Sequence, residues 1–269
     1  MSQKKQLSIL EFSRLTGINR DNLRFYDRIG LLKPEMRGEN GYRYYTRRQL
    51  GSAYLIGCLR LLDVGVEDIR QYSAGRTPEK MLELFVRQEE WIQAELTRLR
   101  ETSEIMKLYA DMAQEALRHK DDEFLVEERK KERIFLCPPS PGFTSPEDGE
   151  ILAYEYASSH NINLGYPMGI MFTHEAAPSG TDFPDCRYYF KSGRHGNDWK
   201  PAGLYAVAYG KGEVLDTPDL YLRLLGFIRE QGLETSGNAY GEYLLDDLAV
   251  QEPGQHYGYI AVPVKARQG

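Results

Sequence analysis

From Pro78 to about Lys120 the chain runs for about forty residues without an internal glycine or a further proline. This stretch constrains the fold more than any other. With no breaker it is one helix, about 60 Å long at about 1.5 Å per residue. Thr77-Pro78-Glu79 supplies its start, with Thr77 as cap and Pro78 in the first turn. Leu82, Phe85, Glu89, Ile92, Leu96, Leu99, Ser103 and Met106 step by alternating threes and fours, a heptad seam interrupted at Glu89 and Ser103. A helix of this length finds its apolar partner either inside one globular domain or in a second copy of itself. The seam favours a coiled coil and hence a homodimer.

The helix divides a basic head from an acidic tail. Residues 1–75 hold 13 Lys and Arg against 8 Asp and Glu, net +5. Residues 76–120 hold 8 against 9, and residues 121–269 hold 13 against 23, net −10. The expected organisation is a basic head domain over 1–75, a dimerisation helix over 76–120 and an acidic tail domain over 121–269. A basic head suits a phosphate backbone. An acidic tail is repelled by one and favours cations over anions.

The head opens with two short helices. Ser8 caps the first, on which Ile9, Phe12 and Leu15 recur at helical spacing, and Gly17 stops it. Asn19 caps the second, from about Arg20 to Ile29, with Leu23 inward and Arg20, Arg24 and Arg28 along one outer stripe. Such a stripe suits a DNA major groove. Lys33-Pro34 begins a wing that ends in Tyr42-Arg43-Tyr44-Tyr45. Thr46 is placed to cap a helix from about Arg47 to Leu62, and a further short helix over Val66–Tyr72 completes the unit.

The order Leu23-Arg24-Phe25-Tyr26-Asp27, Gly30-Leu31-Leu32-Lys33-Pro34, Gly41-Tyr42-Arg43-Tyr44-Tyr45 resembles the winged helix-turn-helix of the MerR family of transcription regulators. The family usually has Tyr where this chain has Phe25. The resemblance implies an antiparallel coiled-coil dimer on double-stranded promoter DNA, with an over-long spacer distorted so that RNA polymerase holoenzyme engages both elements. Arg20, Arg24 and Tyr26 would meet the major groove; Lys33, Tyr42 and Arg43 would complete the DNA contacts, the last two on the backbone.

The tail reads as a β-α-β-β unit present twice, with a period of roughly seventy residues. The first copy has a strand at Glu132–Cys137, a helix from Ser145-Pro146-Glu147 to about Ser159, and strands near Tyr166–His174 and Cys186–Ser192. The second has a strand at Leu204–Tyr209, a helix from Thr217-Pro218-Asp219 to Gln231, and strands near Ala239–Leu245 and Tyr257–Val264. The expected fold class is therefore mixed: an all-α winged head, a long coiled-coil helix and a duplicated α+β effector domain. The cleft between repeats is a natural small-molecule site.

Tyrosines are frequent in the tail, and aromatic faces attract flat apolar cations. The duplicated tail resembles the GyrI-like effector domain of the multidrug-sensing, BmrR-like branch. This implies a lipophilic effector held by Tyr166, Tyr188, Tyr205, Glu242 and Tyr243. The family glutamate directly follows a tyrosine, and here Gly241 takes that place. In a regular strand Glu242 then points away from the pocket and Tyr243 lines it, which suits a neutral aromatic ligand. A bulge at Gly241 brings Glu242 back and suits a cationic one.

No apolar run reaches transmembrane length and the N-terminus has no signal-peptide core, so a cytoplasmic protein without membrane contact is expected. Cys58, Cys137 and Cys186 are scattered, and the five histidines show no ligand spacing. No metal, cofactor or catalytic residue is assigned. The alternative function is an enzyme hydrolysing small reactive compounds, with Glu242, Glu155 or Glu175 as base.

Overall fold

The computed structural model describes residues 6–139, 146–172, 186–212, 215 and 219–267. It divides into two compact units, residues 1–99 and 100–269.

The first unit carries α1 (Ile9–Thr16), α2 (Arg20–Arg28), α3 (Gln49–Leu61) and α4 (Val66–Ala74). Strands β1 (Leu7–Ser8), β2 (Met36–Arg37) and β3 (Arg43–Tyr45) form a small antiparallel sheet in the order β1-β3-β2. Ser8 caps α1 in a reciprocal box with Glu11, and Gly17 closes it at φ 72°, where a side chain would be strained. Asn19 caps α2 by accepting from the Asn22 N–H. The expected Thr46 cap is replaced by a different arrangement. Helix α3 begins at Gln49 with no side-chain cap, and the Gln49 side chain accepts the Thr46 N–H. Phe12, Leu23, Tyr26, Tyr45, Ile56 and Ile69 fill the core of this unit, with Phe12 stacked on Tyr45 at 4.4 Å. Helix α5 spans Pro78–Ala116.

The second unit is built on a nine-stranded, wholly antiparallel sheet. Its strands are β4 (Glu123–Arg129), β5 (Glu132–Leu136), β6 (Met168–Phe172), β7 (Cys186–Phe190), β8 (Asp198–Lys200), β9 (Gly203–Lys211), β10 (Leu233–Thr235), β11 (Ala239–Leu245) and β12 (Tyr257–Ala266). Helices α6 (Pro146–Ser159) and α7 (Asp219–Glu230) fall between β5 and β6 and between β9 and β10. Strands β4, β8 and β10 were not anticipated. The cap residues Ser145 and Thr217, and the end of the strand expected to reach His174, lie outside the described residues.

The order β4-β9-β12-β11-β6-β7-β5-β8 holds a mirror. Outward from the β6–β11 join, each repeat presents its second strand, then its third, then its first. The two copies are thus related by a pseudo-twofold axis at that join. One face of the sheet packs Leu220, Tyr221, Leu224 and Ile228 of α7 and Ala153 and Ala157 of α6. The other gathers Tyr189, Tyr205, Tyr209, Tyr240, Tyr257 and Tyr259, with Met112 and Ala116 of α5. Strand alternation separates the two sets. No helix among the described residues is long and apolar enough to cross a membrane.

Candidate functional site

In the first unit the charged side chains of α2 fall into two groups. Arg20, Arg24 and Arg28 are exposed, as the stripe requires. Among the described residues Arg24 pairs only with Asp21, at 2.9 Å, and both are largely in solvent. Such a pair holds an arginine loosely, so it remains available to another acceptor. Lys33 is exposed and Tyr42 is 61% exposed on the hairpin.

Two of the expected contacts are placed otherwise. Tyr26 is 4% exposed and belongs to the core with Leu23 and Phe12. It sits three residues after Leu23, so one helix turn brings both to the same face. As placed it has no surface for a base. Arg43 is half-buried and its Nε donates to Asp27 Oδ2 at 2.6 Å. Arg37 Nη2 donates to the same oxygen at 2.7 Å. Asp27 is 7% exposed. Its carboxylate therefore ties both strands of the hairpin to α2, and Arg43 is first a brace.

The second unit contains a buried ionic centre on the tyrosine-rich face. Glu242 is 1% exposed. Its Oε1 accepts from Tyr189 Oη at 2.6 Å and Lys200 Nζ at 2.5 Å, and its Oε2 accepts from Lys191 Nζ at 2.7 Å. Both ammoniums also reach Glu132, at 2.8 Å from Lys191 and 3.2 Å from Lys200. Two carboxylates and two ammoniums balance.

The surroundings hold Glu242, Lys191 and Lys200 charged. Burial alone would raise the Glu242 carboxyl, but Lys191 and Lys200 hold it well below the ordinary carboxylate range. Burial would lower both ammoniums, but Glu242 holds each above its ordinary value. Burial, then Glu242, raises the Tyr189 phenol well above its usual value, so it remains a donor. The Lys200 ammonium also lies 5.3–5.8 Å from the ring centres of Tyr189, Tyr240 and Tyr259.

The backbone explains how these groups meet. Glu242 faces Gly169 on β6, and Gly169 faces Tyr189 on β7. A Cβ on Gly169 would lie 2.5 Å from Tyr189 Cζ and Oη. The glycine therefore lets the tyrosine lie across β6 and reach a carboxylate two strands away. Pairing through Gly241 is regular, and the register shift of β11 falls between Tyr243 and Leu245. The expected choice between a bulge at Gly241 and an outward Glu242 is thus resolved by neither branch. Regular alternation puts Tyr240, Glu242 and Leu244 on the tyrosine-rich face and Tyr243 on the α7 face. There Tyr243 Oη accepts the Leu215 N–H.

The other expected pocket residues are also divided. Tyr205 is on the tyrosine-rich face and donates to the Pro201 carbonyl at 2.8 Å. Tyr166 and Tyr188 pack on the α6 side with Phe135 and Ala157. Lys191, Lys200 and Glu132 were not anticipated. They become partners only through sheet order, which no local pattern reveals.

A cavity of about 960 Å³ opens beside this centre. Lys191, Lys200 and Glu132 line it, with Tyr205, Tyr209 and Leu108, and Glu242 lies behind that wall. Among the described residues no three His, Cys, Asp or Glu side chains stand together as a metal site.

Residues 8–45 match the MerR family regulatory protein. Over its length the chain is similar to the multidrug-efflux transporter 2 regulator of Bacillus subtilis (strain 168), 29% identical across 97% of each chain. It is 32% identical over 118 residues to the transcriptional regulator BrlR of Pseudomonas aeruginosa, covering 42% of this chain and 44% of that protein. The solved EcmrR–DNA complex in EcmrR-RPo aligns with 97% of this chain and 100% of that one, at 18% identity and a TM-score of 0.40.

Proposed function

We propose, from the match of residues 8–45 to the MerR family regulatory protein, that the protein is a homodimeric transcription regulator responsive to a small aromatic effector. The observation that carries this is the exposed Arg20-Arg24-Arg28 stripe inside the family match. It presents guanidinium groups with the spacing and freedom that groove recognition needs. Lys33 and Tyr42 flank the stripe in sequence and meet phosphates, which fix position without reading sequence.

The dimer reading is supported by α5. Leu82, Phe85, Leu96 and Leu99 are between 38% and 61% exposed, and Met106 is 68% exposed. A seam of that kind is covered by an antiparallel second copy. Two heads so joined face half-sites about one duplex turn apart. The effector acts through the C-terminal domain, by biasing how the dimer distorts a promoter spacer before RNA polymerase engages. A coupling of about 1–3 kcal/mol is enough for such a switch. The similarity to a multidrug-efflux transporter regulator of Bacillus subtilis favours a small-molecule effector.

Hydrolysis is the weaker reading. Glu242 already accepts bonds from two ammoniums and a phenol, which makes it a poor base. Glu155 is exposed on α6, and Glu175 lies outside the described residues.

The test is selection of duplexes from a randomised pool by the full-length protein. A selected pseudo-palindrome is expected, with Arg24→Ala lowering affinity for it by about tenfold or more and changing random-duplex affinity little. Equal affinity of the wild type for every duplex would overturn the reading. Sedimentation should give a dimer that Leu96→Asp splits.

A further inference from the structure

We propose that the cavity of the C-terminal domain binds a small aromatic carboxylate, whose anionic end replaces Glu132 on Lys191 and Lys200. This rests on reading that domain as the effector domain, and it fixes the charge of the effector.

A cationic ligand bound at the Glu242 centre needs an unneutralised carboxylate and open aromatic faces there. Beside Glu242 neither is offered. Glu242 is saturated by Lys191, Lys200 and Tyr189. The aromatic cage beside it already holds a cation of the chain, the Lys200 ammonium, between Tyr189, Tyr240 and Tyr259. A ligand cation at this end of the cavity would meet two ammoniums whose side chains are only 9% and 6% exposed and so weakly screened.

The two counter-ions of the lysines differ in kind. Glu242 is 1% exposed, comes from the middle of a paired strand and lies behind the cavity wall. The side chain of Glu132 is 34% exposed and lines the cavity itself. Glu132 begins β5, where it pairs only with β8. Its carboxylate bridges both ammoniums from the solvent side. It occupies the position that a ligand carboxylate would take, and it can swing into water at small cost because it is already partly hydrated. The exchange conserves the charge balance of the buried centre. Within a lining otherwise rich in charged side chains, Leu108 and Pro201 give the aromatic body of the ligand its apolar contacts.

The experiment is titration calorimetry of the full-length protein with three probes of one shape: 2-naphthoate, 2-naphthylmethanol and (2-naphthylmethyl)trimethylammonium. Naphthoate should bind at least about tenfold more tightly than the cation. Glu132→Gln, which removes the competing carboxylate at a partly exposed position, should tighten naphthoate by about three- to tenfold. Lys200→Met should abolish it. If Lys200→Met fails to fold, Glu132→Gln decides alone. No naphthoate binding, tighter binding of the cation, or an unchanged or weaker naphthoate affinity in Glu132→Gln would each overturn the proposal. Fluorescence anisotropy on a labelled duplex is read separately. Naphthoate binding without DNA binding would refute the regulator reading and keep the anion site. DNA binding without naphthoate binding would do the reverse.

Discussion

Each unit buries one carboxylate between two cations, and the two centres behave differently because of what surrounds them. In the head, Asp27 is gripped by Arg37, whose side chain is 57% exposed, and Arg43, at 24%. In the tail, Glu242 is gripped by Lys191, at 9%, and Lys200, at 6%. The arginines reach inward from the surface, so water still solvates much of each guanidinium. Their planar forks stay charged and hold one geometry, which suits a brace for a hairpin. The lysines are stripped of water, and an ammonium is a point charge that can exchange one oxygen for another. A carboxylate held by two cations thus makes a fixed tie in the head, whereas in the tail the same two cations also hold a second, partly exposed carboxylate, Glu132, and on the proposal above can exchange it.

Removing each carboxylate tests that contrast. Glu242→Gln should destabilise the protein by about 3–5 kcal/mol in urea unfolding, because two buried ammoniums lose their principal partner. The pH dependence has a definite sign. Glu242 is depressed on folding, so its contribution is present above about pH 4.3 and is lost as pH falls through the folded value. Lys191 and Lys200 are raised, so theirs is present below about pH 10.4 and is lost as pH rises through the folded values. The difference in stability between wild type and Glu242→Gln should thus be flat between those limits and shrink on the acid side. An undiminished difference at acid pH would show that packing, not charge, is responsible.

Gly169→Ala sharpens the tail side. A methyl would meet the Tyr189 ring at 2.5 Å, so the ring must move off Glu242, at about 1–3 kcal/mol for an overpacked site. A retained Tyr189–Glu242 bond in a crystal structure of this variant would break the account of how the strands are bridged. Asp27→Asn should cost least, about 1–2 kcal/mol, since Arg37 and Arg43 can hydrate when released. Its effect on duplex affinity should exceed its effect on stability, because the hairpin loses its anchor to α2. Equal stability losses in Asp27→Asn and Glu242→Gln would remove the contrast.

What the sequence made legible follows from range. The motif over Ser8–Tyr45, the long helix and the doubled β-α-β-β order are written in contiguous residues, and each could be read from caps, breakers and periodicity. The hydrogen bonds to Glu242 join residues 42 to 53 positions apart, and the composition of the centre depends on which strands lie side by side. The face of Glu242 stayed open between two branches because alternation was counted from a family pattern and not from the neighbouring strand. Gly169 was the local signal that would have helped, as a glycine inside an apolar strand marks a close approach. Tyr26 and Tyr243 were misplaced for a shared reason: tyrosine is equally at home on a binding surface and in a core.

The pseudo-twofold join has a kinetic consequence. Strands β6 and β7, and β11 and β12, pair within their own repeats, whereas β6 and β11 bring Gly169 against Glu242 from the other half of the domain. Joining the halves closes a longer loop than any pairing within a repeat, so it is expected after local pairing. The buried charges straddle that seam, with Glu242 in one repeat and Tyr189 and Lys191 in the other. The expectation is therefore a latch rather than a nucleus: Glu242→Gln should speed unfolding and change the folding rate little, and a folding rate that falls as much as the unfolding rate rises would reverse that assignment.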